Sequence, residues 1–204
     1  DKDGKPQDRH SVHEQTLAIM CGLAPEAHDN MMKKRILPFL REEQMDCATP
    51  SAFWATYTFE VAALAGHEKE TLAFIKRKWK PMLATGSTWE HYTYTTASGW
   101  SASHAWTAHP SYHLPNIITG LRQTAPAWRR IEVRPFFPDD IDSANTTLPS
   151  PQGPIQIHWT KSPEKTRVTI ELPANVTADV NLPWTRKTIG KKGKYNFETK
   201  TVYK

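Results

Sequence analysis

One loop-like stretch carries the residue types that could do chemistry. It runs from Thr85 to Tyr92 with the sequence TGSTWEHY, and a second short motif, SHAW, follows at Ser103–Trp106. Glycine and small polar residues indicate a loop rather than a helix. A pyranose has a C–H face that packs on aromatic rings, hydroxyls that need polar partners and an anomeric carbon on which a carboxylate can act. Glu90 is therefore the first candidate for a catalytic carboxylate, in a site that suits a sugar.

Each of these residues also has an ordinary structural explanation. A loop glutamate such as Glu90 is more often solvated or bonded to loop amides, and His104 could simply cap a helix or bond to the backbone. Trp106 is more often a core residue than a ligand contact. His109 and His113 have the i, i+4 spacing of a metal pair, but a proline separates them and no third ligand is near. We expect no metal and no cofactor.

Composition bounds the class of protein. The 204 residues are 38% hydrophobic and 23% charged, with eight Trp, sixteen Pro and a formal charge of +5. This is typical of a globular protein, and the tryptophan content favours carbohydrate or interface surfaces. The basic residues of the C-terminal segment have no nucleic-acid motif around them, and no apolar run approaches the roughly 20 residues of a membrane span, so we expect neither partner.

Two further features concern cysteines and the chain start. Cys21 and Cys47 have no metal-ligand spacing, so we expect two free thiols. The first residues are polar, lack an initiator Met and do not resemble a signal peptide. We expect a piece of a longer protein.

The first part of the chain has helical periodicity. A capping box at Ser11–Glu14 predicts a first helix in which Leu17, Ala18 and Cys21 fall on one stripe. The predicted helices extend from Ser11 to Cys21, Asp29 to Glu43 (with a kink or early stop at Pro38), Thr49 to Ala65 and Lys69 to Lys78, and a fifth carries His104 and Trp106. The second is predicted to point Met32, Ile36, Phe39 and Leu40 inward, and the fourth has its apolar stripe at Leu72, Ile75 and Trp79. The apolar face predicted for the third helix comprises Phe53, Trp54, Tyr57, Val61 and Leu64.

The period changes near Gly120–Ala127, where strands replace helices. Alternating residues predict antiparallel strands at 131–133, 155–159, 167–172 and 178–182. Lys191–Lys194 reads as the turn of a last hairpin, whose outer strand is Tyr195 to Tyr203. Helices followed by strands indicate an α+β protein with two domains.

Several separated motifs in one order resemble a known family. They are TPxxF at Thr49–Phe53, GxTWEH at Gly86–His91, SHAW at Ser103–Trp106, VRP at Val133–Pro135, PSPQGPI at Pro149–Ile155 and ELPANVTA at Glu171–Ala178. In this order they resemble the C-terminal part of bacterial α-L-rhamnosidases of glycoside hydrolase family 78. The resemblance covers nearly the whole chain.

The resemblance implies both a fold and an activity. Residues 1–120 would be the later helices of an (α/α)6-barrel catalytic domain, and residues 121–204 a C-terminal antiparallel β-sandwich. The family hydrolyses terminal α-L-rhamnosyl bonds with inversion, so the expected partner is a rhamnosylated glycan or glycoside. Such enzymes are frequently exported, and a periplasmic or extracellular location is a guess from that analogy.

The resemblance also assigns roles to single residues. Glu90 matches the family's general base, and His104 matches a histidine that contacts the sugar at the cleavage site. Trp89, beside the base, would help to wall the pocket. Trp54 and Tyr57 lie on the helix that would face the barrel centre, and they complete the predicted substrate-binding set.

The second carboxyl group of an inverting site is missing from the recognisable motifs. Glu42 and Glu43 sit on the polar side of a predicted helix, and Asp46 has no suitable neighbours. The general acid is therefore expected upstream, in a part of the same protein that would also cover Trp54, Tyr57 and Trp79. Two alternatives stay open: a non-catalytic carbohydrate-binding or structural module, and an (α/α)6-barrel glycosidase for another sugar.

Overall fold

The computed structural model describes residues 10–199. The chain divides into two compact units, Asp1–His113 and Leu114–Lys204. The α-helices are α1 (Val12–Met20), α2 (His28–Met31), α3 (Leu37–Arg41), α4 (Ala55–Leu64), α5 (Glu68–Trp79) and α6 (Pro110–Ile118). The strands are β1 (Leu121–Gln123), β2 (Arg130–Val133), β3 (Ser143–Ser150), β4 (Gly153–Lys161), β5 (Thr166–Leu172), β6 (Thr177–Leu182), β7 (Thr185–Ile189) and β8 (Gly193–Thr199). The protein is thus α+β, and the helices described in residues 10–199 do not by themselves close a barrel.

Helix α1 begins as predicted but buries a different face. Ser11 Oγ accepts a hydrogen bond from Glu14 N at 3.2 Å, and Glu14 Oε2 accepts one from Ser11 N at 2.7 Å. The predicted stripe of Leu17, Ala18 and Cys21 is not the buried face, because Leu17 and Cys21 are exposed. The helix buries Thr16, whose hydroxyl lies 3.3 Å from that of Thr58 on α4.

The second predicted helix is confirmed as one helical stretch with a widened turn. A π-helical segment, Met32–Ile36, joins α2 to α3 immediately before Pro38. Proline has no N–H, and its ring crowds the carbonyl four residues earlier, so the widened turn accommodates it without ending the helix. The residues predicted to face inward are buried: Met32, Ile36, Phe39 and Leu40.

The third predicted helix exists, but the prediction is wrong about where it starts and which face is buried. It begins at Ala55 rather than at Pro50. Tyr57 and Leu64 were expected inside, yet they are 38% and 56% exposed. The core side of α4 consists of mostly small residues: Ala55, Thr58, Phe59, Val61, Ala62 and Ala63.

Helix α5 carries the inward residues that its sequence predicts, Leu72, Ile75 and Trp79. The expectation that Trp79 is partly exposed is wrong. Its side chain is 8% exposed, and its indole Nε1 donates to Thr107 O at 2.8 Å. The predicted fifth helix is also corrected, since residues 105–107 form a 3₁₀ turn and the α-helix starts only at Pro110.

The second unit contains two four-stranded sheets, ordered β1-β2-β6-β7 and β3-β4-β5-β8. Alternate residues of both sheets point into one hydrophobic core, in which Trp159 is fully buried and donates from Nε1 to Ile118 O at 2.8 Å. Within residues 10–199, every strand pair is antiparallel except that of β2 with β6, which is parallel. The prediction of purely antiparallel strands is therefore wrong at that pair.

The predicted last hairpin is a crossover instead. Strand β7 pairs with β6, whereas β8 pairs with β5 in the other sheet. The segment Lys191–Lys194 therefore leads from one sheet to the other. Strand β8 ends at Thr199, and the remainder of the predicted strand to Tyr203 lies outside the described residues.

Candidate active site

The loop that carries Glu90 is anchored by its neighbour Trp89. A 3₁₀ turn, Lys80–Thr85, ends at Gly86, which adopts the left-handed conformation with φ 68°. The indole Nε1 of Trp89 donates to Thr85 Oγ1 at 2.7 Å, and its backbone N–H donates to Met82 Sδ at 3.4 Å. Because the Trp89 ring is buried, it fixes the position from which Glu90 projects.

Glu90 is held through both its backbone and its carboxylate. Its N–H donates to Ser101 O at 3.0 Å, and the Ser101 N–H donates to Glu90 Oε2 at 3.0 Å. The side chain is half-buried. This bond is the structural use foreseen for a loop acid, and it leaves Oε1 as the oxygen available to a ligand.

Hydrogen bonds hold the backbone of His104, whereas its side-chain Nδ1 makes none. Its N–H donates to Thr88 O at 2.8 Å, while its carbonyl accepts from Thr88 Oγ1 at 2.9 Å and from Thr107 Oγ1 at 2.8 Å. The imidazole Nδ1 is buried without a hydrogen-bond partner in the structure. Buried polar atoms rarely lack partners, so an unpaired one requires an explanation, of which a bound ligand is one.

The two predicted motifs lie side by side. The Thr88–His104 and Glu90–Ser101 backbone bonds form an irregular two-stranded pairing. A side-chain hydrogen bond also joins the two segments, because Ser87 Oγ donates to Ser103 Oγ at 3.0 Å. The structure therefore brings the segments of Glu90, Trp89 and His104 together.

Trp54 and Tyr57 belong to a different ring cluster. The Trp54 ring centroid lies 4.4 Å from that of His13 and 5.1 Å from that of Tyr57. Burial lowers the pKa of His13, with a smaller opposing effect from the Glu14 charge. No hydrogen bond or ring contact in the described part of the chain joins these two aromatic residues to Glu90 or His104. Their role in substrate binding stays a prediction.

Two aromatic residues near the site were missed or misjudged from the sequence. Trp106, expected in the core, is 67% exposed. Trp100 is 49% exposed, and its ring lies 4.0 Å from that of His91. The signal that could have identified them is their setting, since both occur in a segment rich in Ser, Thr and Gly.

Two of the three carboxyl groups considered as general acids, Glu42 and Asp46, are paired with cations. Glu42 pairs with Lys78 and, at 2.6 Å, with Arg77, and the hydrogen bond from Lys78 is the main cause that lowers its pKa. Asp46 pairs with Arg35 at 2.8 Å. A carboxyl with a lowered pKa is unprotonated near neutral pH, so Glu42 does not suit the role of proton donor.

Residues 10–199 contain neither a metal-binding cluster nor a helix that could span a membrane. This part of the chain contains no group of three His, Cys, Asp or Glu side chains arranged to hold a metal ion. None of its helices has both the length and the apolar character needed to cross a membrane.

The comparisons with known proteins concern both units. Residues 120–197 match the family described as the bacterial alpha-L-rhamnosidase C-terminal domain. No curated protein matches the sequence.

Solved structures resemble the chain over most of its length. The alpha-L-rhamnosidase from Dictyoglumus thermophilum superposes with a TM-score of 0.79 at 20% identity, covering 94% of this chain and 26% of that one. The GH78 family rhamnosidase of Bacillus sp. GL1 gives a TM-score of 0.71 at 26% identity, covering 89% of this chain and 20% of that one. The Streptomyces avermitilis alpha-L-rhamnosidase, solved with L-rhamnose, gives 0.75 at 17% identity, with coverages of 98% and 23%.

The chain spans about a quarter of the length of these solved rhamnosidases. Residues 120–197 belong to the bacterial α-L-rhamnosidase C-terminal domain family, and the chain as a whole resembles solved α-L-rhamnosidases, including one of glycoside hydrolase family 78, over most of its length.

Proposed function

We propose that this chain is the C-terminal part of an enzyme that removes terminal α-L-rhamnose from a glycan or glycoside with inversion of configuration. The observation that carries the proposal is the arrangement of Glu90. One carboxylate oxygen is held by Ser101 N at 3.0 Å, and the other is available beside the segment of His104. A carboxylate fixed in this way keeps its orientation when a water and a sugar bind, as a general base requires.

In the proposed reaction, Glu90 takes a proton from the attacking water. The water oxygen attacks the anomeric carbon on the face opposite the leaving group, and a carboxylic acid protonates the departing glycosidic oxygen. The two carboxyl groups of an inverting site are roughly 6.5–9.5 Å apart, which leaves room for the water. The acid is proposed to lie in the part of the protein that this chain does not include, since Glu42 and Asp46 are engaged with cations.

His104 is proposed to bind the sugar. Its imidazole makes no hydrogen bond to the described residues, while its backbone is fixed by Thr88 and Thr107. An imidazole held in this way can bond a sugar hydroxyl at little cost in side-chain entropy. Trp89 acts mainly by fixing the loop from behind, and Trp54 and Tyr57 remain the less supported members of the predicted set.

The proposal also assigns a structural role to each of the two domains. Residues 1–120 would contribute later helices to an (α/α)6 barrel, and residues 121–204 would form the closing β-sandwich. Exposed apolar side chains on the helices support this, because Leu17, Met20 and Leu64 are each about half exposed and need cover in a larger barrel.

The test is hydrolysis of p-nitrophenyl α-L-rhamnoside by the polypeptide that carries this chain, beside its Glu90→Gln variant. Glutamine keeps the size and can still accept the Ser101 N–H bond, but it is not basic. We expect turnover to fall at least about a hundredfold with an unchanged thermal midpoint. Glu43→Gln, which changes an exposed carboxylate, is the matched control and should leave turnover unchanged.

The other outcomes separate the alternatives. Full activity in Glu90→Gln would remove Glu90 from the mechanism. Activity on other p-nitrophenyl glycosides, with none on the rhamnoside, would identify a glycosidase for another sugar. Silence on every glycoside of the panel would favour a non-catalytic carbohydrate-binding or structural module.

A further inference from the structure

An exposed aromatic pair lies beside the candidate sugar-binding histidine. Trp106 is 67% exposed and Phe53 is 36% exposed, and their ring centroids are 5.2 Å apart. The Trp106 ring also stands edge-on to the His104 ring, with 5.7 Å between centroids and an angle of 88°. Tryptophan is normally highly buried, so one that keeps two thirds of its surface open requires an explanation.

The Trp106 ring is supported without being covered. Phe53 packs against it at a tilt of 37°, and the backbone on either side of the ring is held in a 3₁₀ turn by Thr107. A ring supported in this way is pre-organised, since little side-chain freedom is lost when a ligand stacks on it.

The surroundings of Trp106 resemble a ligand site more than a protein interface. The preceding segment, residues 93–103, has the sequence TYTTASGWSAS, and its Ser101 hydroxyl donates to Ser103 O at 2.8 Å. Flat rings set among hydroxyl groups suit a ligand with C–H faces and hydroxyls, whereas the core of a protein interface is depleted in small polar residues.

The reaction geometry distinguishes Trp106 from the second exposed tryptophan. Trp100 precedes Ser101, whose N–H bonds the Glu90 carboxylate, so Trp100 lies on the side of the base and the attacking water. In an inverting reaction, the leaving group departs from the opposite face of the sugar. Trp106 follows His104 at the opposite end of the same segment, away from the base, which is the end at which a leaving group would lie.

We propose that Trp106, supported by Phe53, is a specificity-determining residue that stacks on the flat face of the leaving group, either a pyranose or an aromatic ring. This inference rests on the proposed function for the identity of the cleaved sugar. It predicts a preference for flat leaving groups over small alkyl groups.

The experiment compares phenyl α-L-rhamnoside with methyl α-L-rhamnoside as substrates of the polypeptide that carries this chain. In Trp106→Ala, we expect KM for the phenyl glycoside to rise about tenfold, while KM for the methyl glycoside and inhibition by free rhamnose change by less than about twofold. Trp100→Ala is the matched control, because it removes the other exposed indole of this segment and should change KM for both substrates by the same factor.

Equal effects of Trp106→Ala on the two substrates, or no effect, would overturn the proposal. A fall in the thermal midpoint together with equal effects would identify the ring as a contact with the rest of the protein. Saturation-transfer NMR with the same two glycosides separates this inference from the proposed function. Transfer to the phenyl protons that disappears in Trp106→Ala supports the stacking site even in an inactive protein, and its absence from the parent protein rejects the site even if rhamnosides are hydrolysed.

Discussion

At the scale of single residues, hydrogen bonds to main-chain carbonyls hold the segment of His104. Trp79 donates to Thr107 O, and Thr107 in turn donates from its hydroxyl to His104 O. His109 Nε2 lies 2.8 Å from Ala52 O. Because none of these carbonyls lies in an α-helix or a strand, each side chain supplies a bond that such an element would otherwise provide.

Trp79→Phe is expected to destabilise the protein by about 1–2 kcal/mol, since it keeps an aromatic ring but leaves the carbonyl of buried Thr107 without its donor. The measurement is urea unfolding followed by circular dichroism. Trp100→Phe, at an exposed indole with no such bond, is the control and should have little effect. Equal midpoints for the two variants would show that the indole bond contributes nothing.

His109 predicts a pH dependence of stability. Burial lowers the pKa of its imidazole, and the bond to the Ala52 carbonyl opposes this only in part. The proton of the neutral ring sits on Nε2, so a second proton would go to Nδ1, which is buried without a partner. The unfolded chain therefore binds more protons than the folded one below a pH of about 6.5, and the free energy of unfolding should fall as the pH is lowered.

The test is the free energy of unfolding between pH 7 and pH 5. This window lies above the ordinary pKa values of the paired carboxyls Glu42 and Glu70, so their loss of charge does not contribute. His109→Gln keeps a donor for Ala52 O and should flatten the slope. A residual slope is expected from His13, whose pKa is also lowered. An unchanged slope in His109→Gln would reject His109 as a source.

At the scale of elements, the sequence correctly predicts the strands in which apolar and polar residues alternate strictly. Strands β4, β5 and β6 pack one face into the core, so their apolar periodicity is strict. Strand β3 was missed because it lies at a sheet edge, buries neither face fully and contains small polar residues and a proline. The buried face of α4 was misjudged because large apolar residues were preferred over the alanines that face its neighbours.

The candidate site could be predicted from the sequence only in part. Residue types were enough to single out Glu90 and His104. The pairing that brings their segments together was not, because the Thr88–His104 and Glu90–Ser101 bonds belong to no regular strand. Exposure of Trp106 also could not be read from residue type, since tryptophan is usually buried.

Gly120 precedes β1 and is constrained by a close approach of the chain. It has φ 68°, and a Cβ at this position would lie 2.0 Å from the carbonyl carbon of Arg134. Gly120→Ala is expected to cost about 3 kcal/mol or more, because backbone atoms cannot yield as side chains can.

Gly86→Ala is the matched control for this change. Gly86 has the same φ of 68°, but a Cβ added there would meet open space. Alanine at this position should therefore lose only the cost of the left-handed conformation, about 1–2 kcal/mol. Thermal unfolding of both variants is the measurement. Similar losses would mean that conformation rather than crowding limits position 120.

At the scale of the whole molecule, the two units have separate cores. The second unit encloses its own buried cluster between two sheets, with Trp159, Ile157 and Ile170 among its fully buried members. We therefore expect residues 114–204 to fold when expressed alone.

This prediction is checked by amide NMR dispersion and by the emission of buried Trp159 in the 114–204 fragment. Dispersed resonances and a cooperative thermal transition are expected. A collapsed spectrum would mean that the unit depends on the preceding residues for its stability.

The parallel pairing of β2 with β6 has a consequence for how this end of the protein is made. The paired residues Ile131 and Ala178 are nearly fifty positions apart in the sequence. Strand β8 pairs with β5, although β6 and β7 of the other sheet lie between them in the sequence. Because such distant pairings raise contact order, the first sheet cannot be completed before β7 has left the ribosome, nor the second before β8. A chain that stops prematurely after β5 leaves strand edges unpaired, and it is therefore prone to aggregate rather than to persist as a shorter folded protein.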